Sequence, residues 1–92
     1  MNKLIDFIKN NDLSFKEGRR NSDITVICGY ALHLDEYHDW ERDIKEAIIE
    51  VHGEGIWSDF MEEEVYRVFD FAYNNNYGDW WSSDEAKEKY VY

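Results

Sequence analysis

The sequence predicts an α+β domain: a short N-terminal helix, a small antiparallel sheet of two or three strands, then two amphipathic acidic helices and a short C-terminal helix. Three observations lead there. Apolar residues recur at steps of three and four near both ends of the chain. Between them, residues 23–34 carry an apolar residue at every second position. The five glycines fall mostly between these periodic stretches. With 92 residues the chain forms one domain, 1–92, and leaves no room for a second.

Residues 2–10 read as the first helix, with Leu4, Ile5 and Ile8 on one face and Asn10-Asn11 ending it. Residues 13–16 and 23–34 read as strands. Leu13 and Phe15 alternate with polar neighbours, and Ile24, Val26, Cys28, Tyr30, Leu32 and Leu34 line one face at period two. Residues 17–22 form the loop of the hairpin, and Gly29 marks a bulge, a bend or a break into two strands. Residues 36–52 read as an amphipathic helix whose buried stripe is Tyr37, Trp40, Ile44, Ala47, Ile48 and Val51, ended by Gly53 and Gly55. Residues 58–73 form the next helix, with Ser58 as N-cap and Met61, Val65, Val68, Phe69 and Ala72 inward; residues 74–78 stop it. The last helix begins at Ser82, with Glu85 three positions on as a capping box.

Composition narrows function. The chain holds 21 acidic against 10 basic residues, a net charge of −11, yet 17% of it is aromatic. A disordered acidic chain lacks aromatics, so a packed core is expected. A surface this negative repels phosphate and anionic lipid, which argues against direct binding to nucleic acid or membrane. No apolar run approaches the roughly 20 residues of a membrane span, and charges interrupt the N-terminal residues too early for a signal peptide. One cysteine, Cys28, allows no internal disulfide and fits a reducing cytoplasm.

The charge is concentrated. Residues 35–70 hold thirteen acids and only Arg42, Lys45 and Arg67, a net −10, whereas residues 1–34 carry +1 and residues 71–92 carry −2. Within the helix of 36–52, Asp39, Asp43, Glu46 and Glu50 are spaced by 4, 3 and 4, which makes one stripe beside the apolar one. Asp59, Glu62, Glu63 and Asp70 share the outer face of the following helix with Tyr66 and Tyr73, and Glu54 lies between the two helices. Acids on outer helix faces ordinarily serve only as solvated surface. Ordered rows, interleaved tyrosines and a local charge of −10 favour a protein-binding surface instead. A carboxylate row on a rigid helix resembles the phosphate row of a nucleic acid, about one charge per 3.4 Å per strand.

No catalytic constellation accompanies these rows. The chain lacks a Gly-rich phosphate loop, a serine elbow, a zinc-type cysteine pair and a calcium loop. Cys28 lies on the apolar face of the longest strand and reads as core. His33, Asp35 and His38 lie close in sequence, with His52 further on, and could converge, but no metal-site spacing supports it; ordinary surface or half-buried histidines are the favoured reading. No enzyme, metal or cofactor is therefore expected. Of Trp80 and Trp81, one closes the core and the other is exposed. Arg19 and Arg20 form the one basic spot.

Leu4-Ile5, Ile8-Lys9-Asn10, Asp12, Lys16, Ser22 and Ile24-Thr25 together resemble the start of the small acidic phage anti-CRISPR proteins that inhibit type II-A nucleases. The resemblance covers roughly the first 25 residues and the order of helix, hairpin and later helices; the tryptophan-rich tail departs from it. It implies a nucleic-acid mimic that occupies the site where an RNA-guided nuclease reads DNA, and it carries no individual functional residue over. The expected function is thus a phage-encoded inhibitor of a host defence nuclease, most simply a CRISPR effector or surveillance complex. The alternative is an immunity protein that neutralises a basic nuclease toxin. The expected contacts are Asp39, Asp43, Glu46, Glu50, Glu54, Asp59, Glu62, Glu63 and Asp70, with Tyr66 and Tyr73 as anchors, on a monomer or dimer.

Overall fold

A computed structural model of the chain describes residues 2–34 and 39–92. Six α-helices follow one another among these residues: α1 (Lys3–Asn10), α2 (Arg20–Leu34), α3 (Trp40–His52), α4 (Asp59–Asn74), α5 (Tyr77–Trp80) and α6 (Asp84–Lys89). A 3-10 turn, Glu54–Ile56, joins α3 to α4. No strand occurs among the described residues. The expected α+β fold with an antiparallel sheet is therefore replaced by a helical bundle, and the hairpin implied by the anti-CRISPR resemblance is absent from these residues.

The error lies in α2. Its residues 24–34 are apolar on nearly every side, so they satisfy period two and period 3.6 together. The helical set Ile24, Ile27, Cys28 and Ala31 is fully buried, while Val26, Leu32 and Leu34 are half-buried. A helix that is apolar all round belongs at the centre of a bundle. α2 holds that place: α1, α3, α4 and α5 all pack against it. Its 15 residues are an ordinary helix length and would be a very long strand. Gly29 marks no bulge. It lies inside α2, where a Cβ would come within 2.5 Å of Trp81 Nε1.

The second expected strand, 13–16, is an irregular segment. Leu13 and Phe15 are buried as their alternation suggests, but Asp12 (φ +53°) and Phe15 (φ +56°) adopt left-handed backbone that a strand excludes. The backbone N–H groups of Ser14 (2.9 Å) and Phe15 (3.1 Å) donate to one carboxylate oxygen of Asp23 instead of to a neighbouring strand. Asp23 lies in the first turn of α2 and is only 2% exposed. The expected loop 17–22 accordingly shrinks to a turn, with Arg20 already helical.

The remaining helices follow their local signals. Asn2 caps α1, accepting from Leu4 N at 2.9 Å. Ser58 caps α4, accepting from Met61 N at 3.2 Å. Gly53, at φ +88°, ends α3 and donates to Ile49 O. The start of the helix expected at 36, with Tyr37 in its buried stripe, lies outside the described residues; Trp40, Ile44, Ala47, Ile48 and Val51 all face the core. Two details shift. The last helix is capped by Ser83, not Ser82, with Ser83 Oγ accepting from Ala86 N at 3.2 Å. Residues 74–78 do not simply stop α4; the short α5 begins within them at Tyr77.

The tail seals the bundle's far end. Trp81 is buried (4% exposed) against Phe7, Tyr30 and Tyr90, while Trp80 remains 37% exposed. The Asn11 side chain bonds both the N–H and the C=O of Val91, each at 2.8 Å. Tyr92 Oη donates to Trp81 O at 2.5 Å.

Candidate acidic interaction surface

α3 and α4 pack side by side through Trp40, whose ring stacks on Phe69, and through Lys45, which reaches Glu62 at 3.5 Å. These two contacts define the flank of α3 that meets α4. At about 100° per residue, Asp39, Asp43, Glu46 and Glu50 lie on the opposite flank. The predicted contacts therefore form two surfaces, not one.

The first surface is the α3 row. Asp39 is its N-cap, accepting from Arg42 N at 3.2 Å, so this carboxylate has a structural duty. Asp43 is half-buried and lies 3.6 Å from the Arg42 guanidinium. Glu46 and Glu50 are exposed and make no ion pair among the described residues. Successive carboxylates are about 4.5–6 Å apart along the axis, from a rise of roughly 1.5 Å per residue.

The second surface is the outer face of α4. Asp59 lies in its first turn, and Glu62, Glu63 and Asp70 are all exposed. Tyr66 and Tyr73, 57% and 65% exposed, stand among them. Glu41 of α3 joins Glu62, Glu63, Tyr66 and Arg67 around a groove of about 360 Å³. Glu41 was not among the expected contacts. Its position on the Lys45 flank of α3 is the signal that places it here. Glu54, in the 3-10 turn, is exposed between the two surfaces in chain order.

Little neutralises either surface. Each basic residue of the acidic segment is taken by one neighbour: Arg42 by Asp43, Lys45 by Glu62, and Arg67 by Glu64. Glu64 itself turns toward α2 and accepts from Asn21 Nδ2 at 2.9 Å. The acids then divide by their relation to the helix dipoles. Asp39, Glu41, Asp43, Asp59 and Glu62 lie at helix N-termini, where negative charge is stabilising. Glu50 lies in the last turn of α3, where the macrodipole disfavours it, and Asp70 lies in the C-terminal half of α4, beyond the favourable first turn. These carboxylates serve no cap, pair or dipole.

Other candidate groups have structural places. Burial pushes the Cys28 thiol far above its ordinary range, which suppresses the thiolate. His52 Nε2 lies 2.7 Å from Leu13 O, and the His33 ring packs against Tyr30 and Tyr92. Asp35 and His38 lie outside the described residues, and no group of three metal-ligating side chains occurs among those that are described. Arg19 reaches Asp23 at 3.4 Å, and the Arg20 guanidinium lies over Phe60.

Comparison with protein-family models, curated proteins and solved structures returned no match. No helix among the described residues is long and apolar enough to cross a membrane.

Proposed function

We propose that this chain binds a basic, nucleic-acid-binding protein and blocks it by presenting carboxylates to the Lys/Arg channel that otherwise holds nucleic acid. A host defence nuclease such as a CRISPR effector is the partner this reading favours, with a phage as the source of the inhibitor. One observation carries the reading: Glu46 and Glu50 extend the α3 row without an ion pair among the described residues, and Glu50 occupies a helix end that repels it. Local stability does not explain such charges, and selection for a basic partner does. The exposed Tyr66 and Tyr73 supply apolar anchors on the α4 surface. Steering by the field of −11 charges speeds encounter, and salt weakens it.

Replacement of Asp39 by Asn, Asp43 by Asn, Glu46 by Gln and Glu50 by Gln removes four charges and keeps the α3 cap, since Asn caps as well as Asp. The expected result is loss of nuclease inhibition by a protein whose circular dichroism is unchanged. Full inhibition by that variant removes the α3 row from the mechanism; the matching variant Glu62→Gln, Glu63→Gln, Asp70→Asn then tests α4.

A further inference from the structure

A pocket of about 420 Å³ lies between the exposed side of α2 and the α5–α6 segment, within the range of small-ligand sites. Four aromatic side chains line it: Tyr77, Trp80, Trp81 and Tyr90. The Trp80 ring stands nearly perpendicular to Trp81 (5.0 Å between centroids, 88°) and to Tyr90 (6.2 Å, 80°), which makes a right-angled aromatic corner. The Trp81 ring packs against Gly29 and the Tyr92 ring, while Trp80 is exposed at the edge of the corner. No Asp, Glu, Lys or Arg lines the pocket.

We infer that this pocket binds a methylated ammonium group. Aromatic faces attract cations through the ring quadrupole, Trp most strongly. Lys89 Nζ already lies 5.8 Å over the Tyr90 ring, which shows that ring attracting a cation and leaves the exposed Trp80 as the ring open to a ligand. The chain's net charge of −11 adds a long-range attraction for cations. The absence of lining carboxylates selects among cations. A primary ammonium finds here only the neutral oxygens of Thr25, Asn75 and Asn76 in exchange for its hydration, whereas a trimethylammonium has no N–H donors to satisfy. The chemistry is shared by free choline-type amines and by a methylated lysine side chain. None of the carboxylates assigned to the basic partner lines the pocket, so the inference stands apart from that function.

The test is a heteronuclear NMR titration of the full chain with three probes: choline, N-acetyl-trimethyllysine amide, and 3,3-dimethyl-1-butanol, the neutral isostere of choline. The expected result is a saturable shift of the Trp80 indole N–H by both cations, at about tenfold lower concentration than by the alcohol. The tighter of the two cations assigns the source, a free amine or a methylated side chain. Trp80→Leu keeps the net charge and is expected to abolish saturation at the Asn76 and Thr25 resonances. Equal binding of alcohol and choline overturns the inference, because it leaves only an apolar pocket. Persistence of the choline shifts in Trp80→Leu overturns it too, as does no saturable shift with either cation. Should Trp80→Leu unfold, the choline–alcohol comparison in the unaltered protein decides.

Discussion

The Asp23 carboxylate accepts the backbone N–H of Phe15 at 3.1 Å, and Phe15 holds a left-handed backbone with its ring fully buried. One buried acid thus ties the irregular segment between α1 and α2 to the first turn of the central helix. Asp23→Ala leaves the N–H groups of Ser14 and Phe15 without their acceptor. An unsatisfied buried donor costs about 1–3 kcal/mol, so a loss of roughly 2–4 kcal/mol is expected by urea unfolding. Asp23→Asn keeps one oxygen acceptor and is expected to lose less than the alanine variant. Equal stability of Asp23→Ala and the parent protein refutes the clamp.

Gly29 and Trp81 are a second close pair. Alanine at 29 places a Cβ 2.5 Å from Trp81 Nε1, and the buried Trp81 ring, wedged among Phe7, Tyr30 and Tyr90, has no room to retreat. Overpacking of this kind costs about 1–3 kcal/mol, more than the roughly 1 kcal/mol that alanine gains over glycine in a helix. Thermal melting of Gly29→Ala is expected to fall by several degrees, at about 4–8 °C per kcal/mol for a domain of this size. A raised melting temperature contradicts the packing of Trp81 on α2.

The two serines before α6 separate cleanly. Ser83 Oγ accepts from Ala86 N and also donates to Trp80 O at 2.6 Å, whereas Ser82 is exposed. Ser83→Ala is expected to cost about 1 kcal/mol and Ser82→Ala nearly nothing. The reverse order moves the cap to Ser82.

Burial raises the Cys28 pKa, so ionisation is suppressed in the folded chain and free in the unfolded one. A raised folded pKa contributes stability that is complete below the unfolded value of about 8.5 and is lost as pH rises beyond it. Unfolding free energy is expected to decline above about pH 8.5, by at most roughly 1.4 kcal/mol per pH unit from this group. Cys28→Ala or Cys28→Val removes that share of the slope. Iodoacetamide at pH 8 is expected to label Cys28 only through the small open population, far more slowly than the unfolded chain; rapid labelling of the native protein contradicts the buried thiol.

Neutralising Asp39, Asp43, Glu46 and Glu50 also has a stability signature. Like charges three and four apart cost a few tenths of a kcal/mol per pair, but Asp39 and Asp43 also favour the α3 N-terminus by about 0.3–1 kcal/mol each; the quadruple variant is expected to change little, and Glu46→Gln with Glu50→Gln alone to gain about 0.3–0.5 kcal/mol at low salt. The gain shrinks above physiological ionic strength as screening removes the repulsion. A variant that loses stability shows instead that these carboxylates hold the fold together, and its loss of inhibition then says nothing about a partner.

Much of the chain was legible from its residues. α1, α3 and α4, the Ser58 cap and the inward stripe from Met61 to Ala72 all rest on spacing within one turn or on a single polar side chain at a helix start, whereas which of Trp80 and Trp81 enters the core did not show in the sequence. Such signals act between neighbours in sequence, so reading them needs no knowledge of what packs against them. The concentration of charge between residues 35 and 70 is likewise a property of the chain alone.

Three features required the packed molecule. The segment 24–34 is apolar on every side, and its local pattern fits strand and helix equally; burial against α1, α3, α4 and α5 selects the helix. The Asp23 carboxylate satisfies a backbone eight and nine residues away, a relationship with no local trace. The acidic rows of α3 and α4 face apart because Trp40 and Lys45 turn one flank of α3 toward α4. Periodicity places a residue on a face of its own helix. Which way that face looks is set by the helices it packs against, and those contacts join residues distant in the chain.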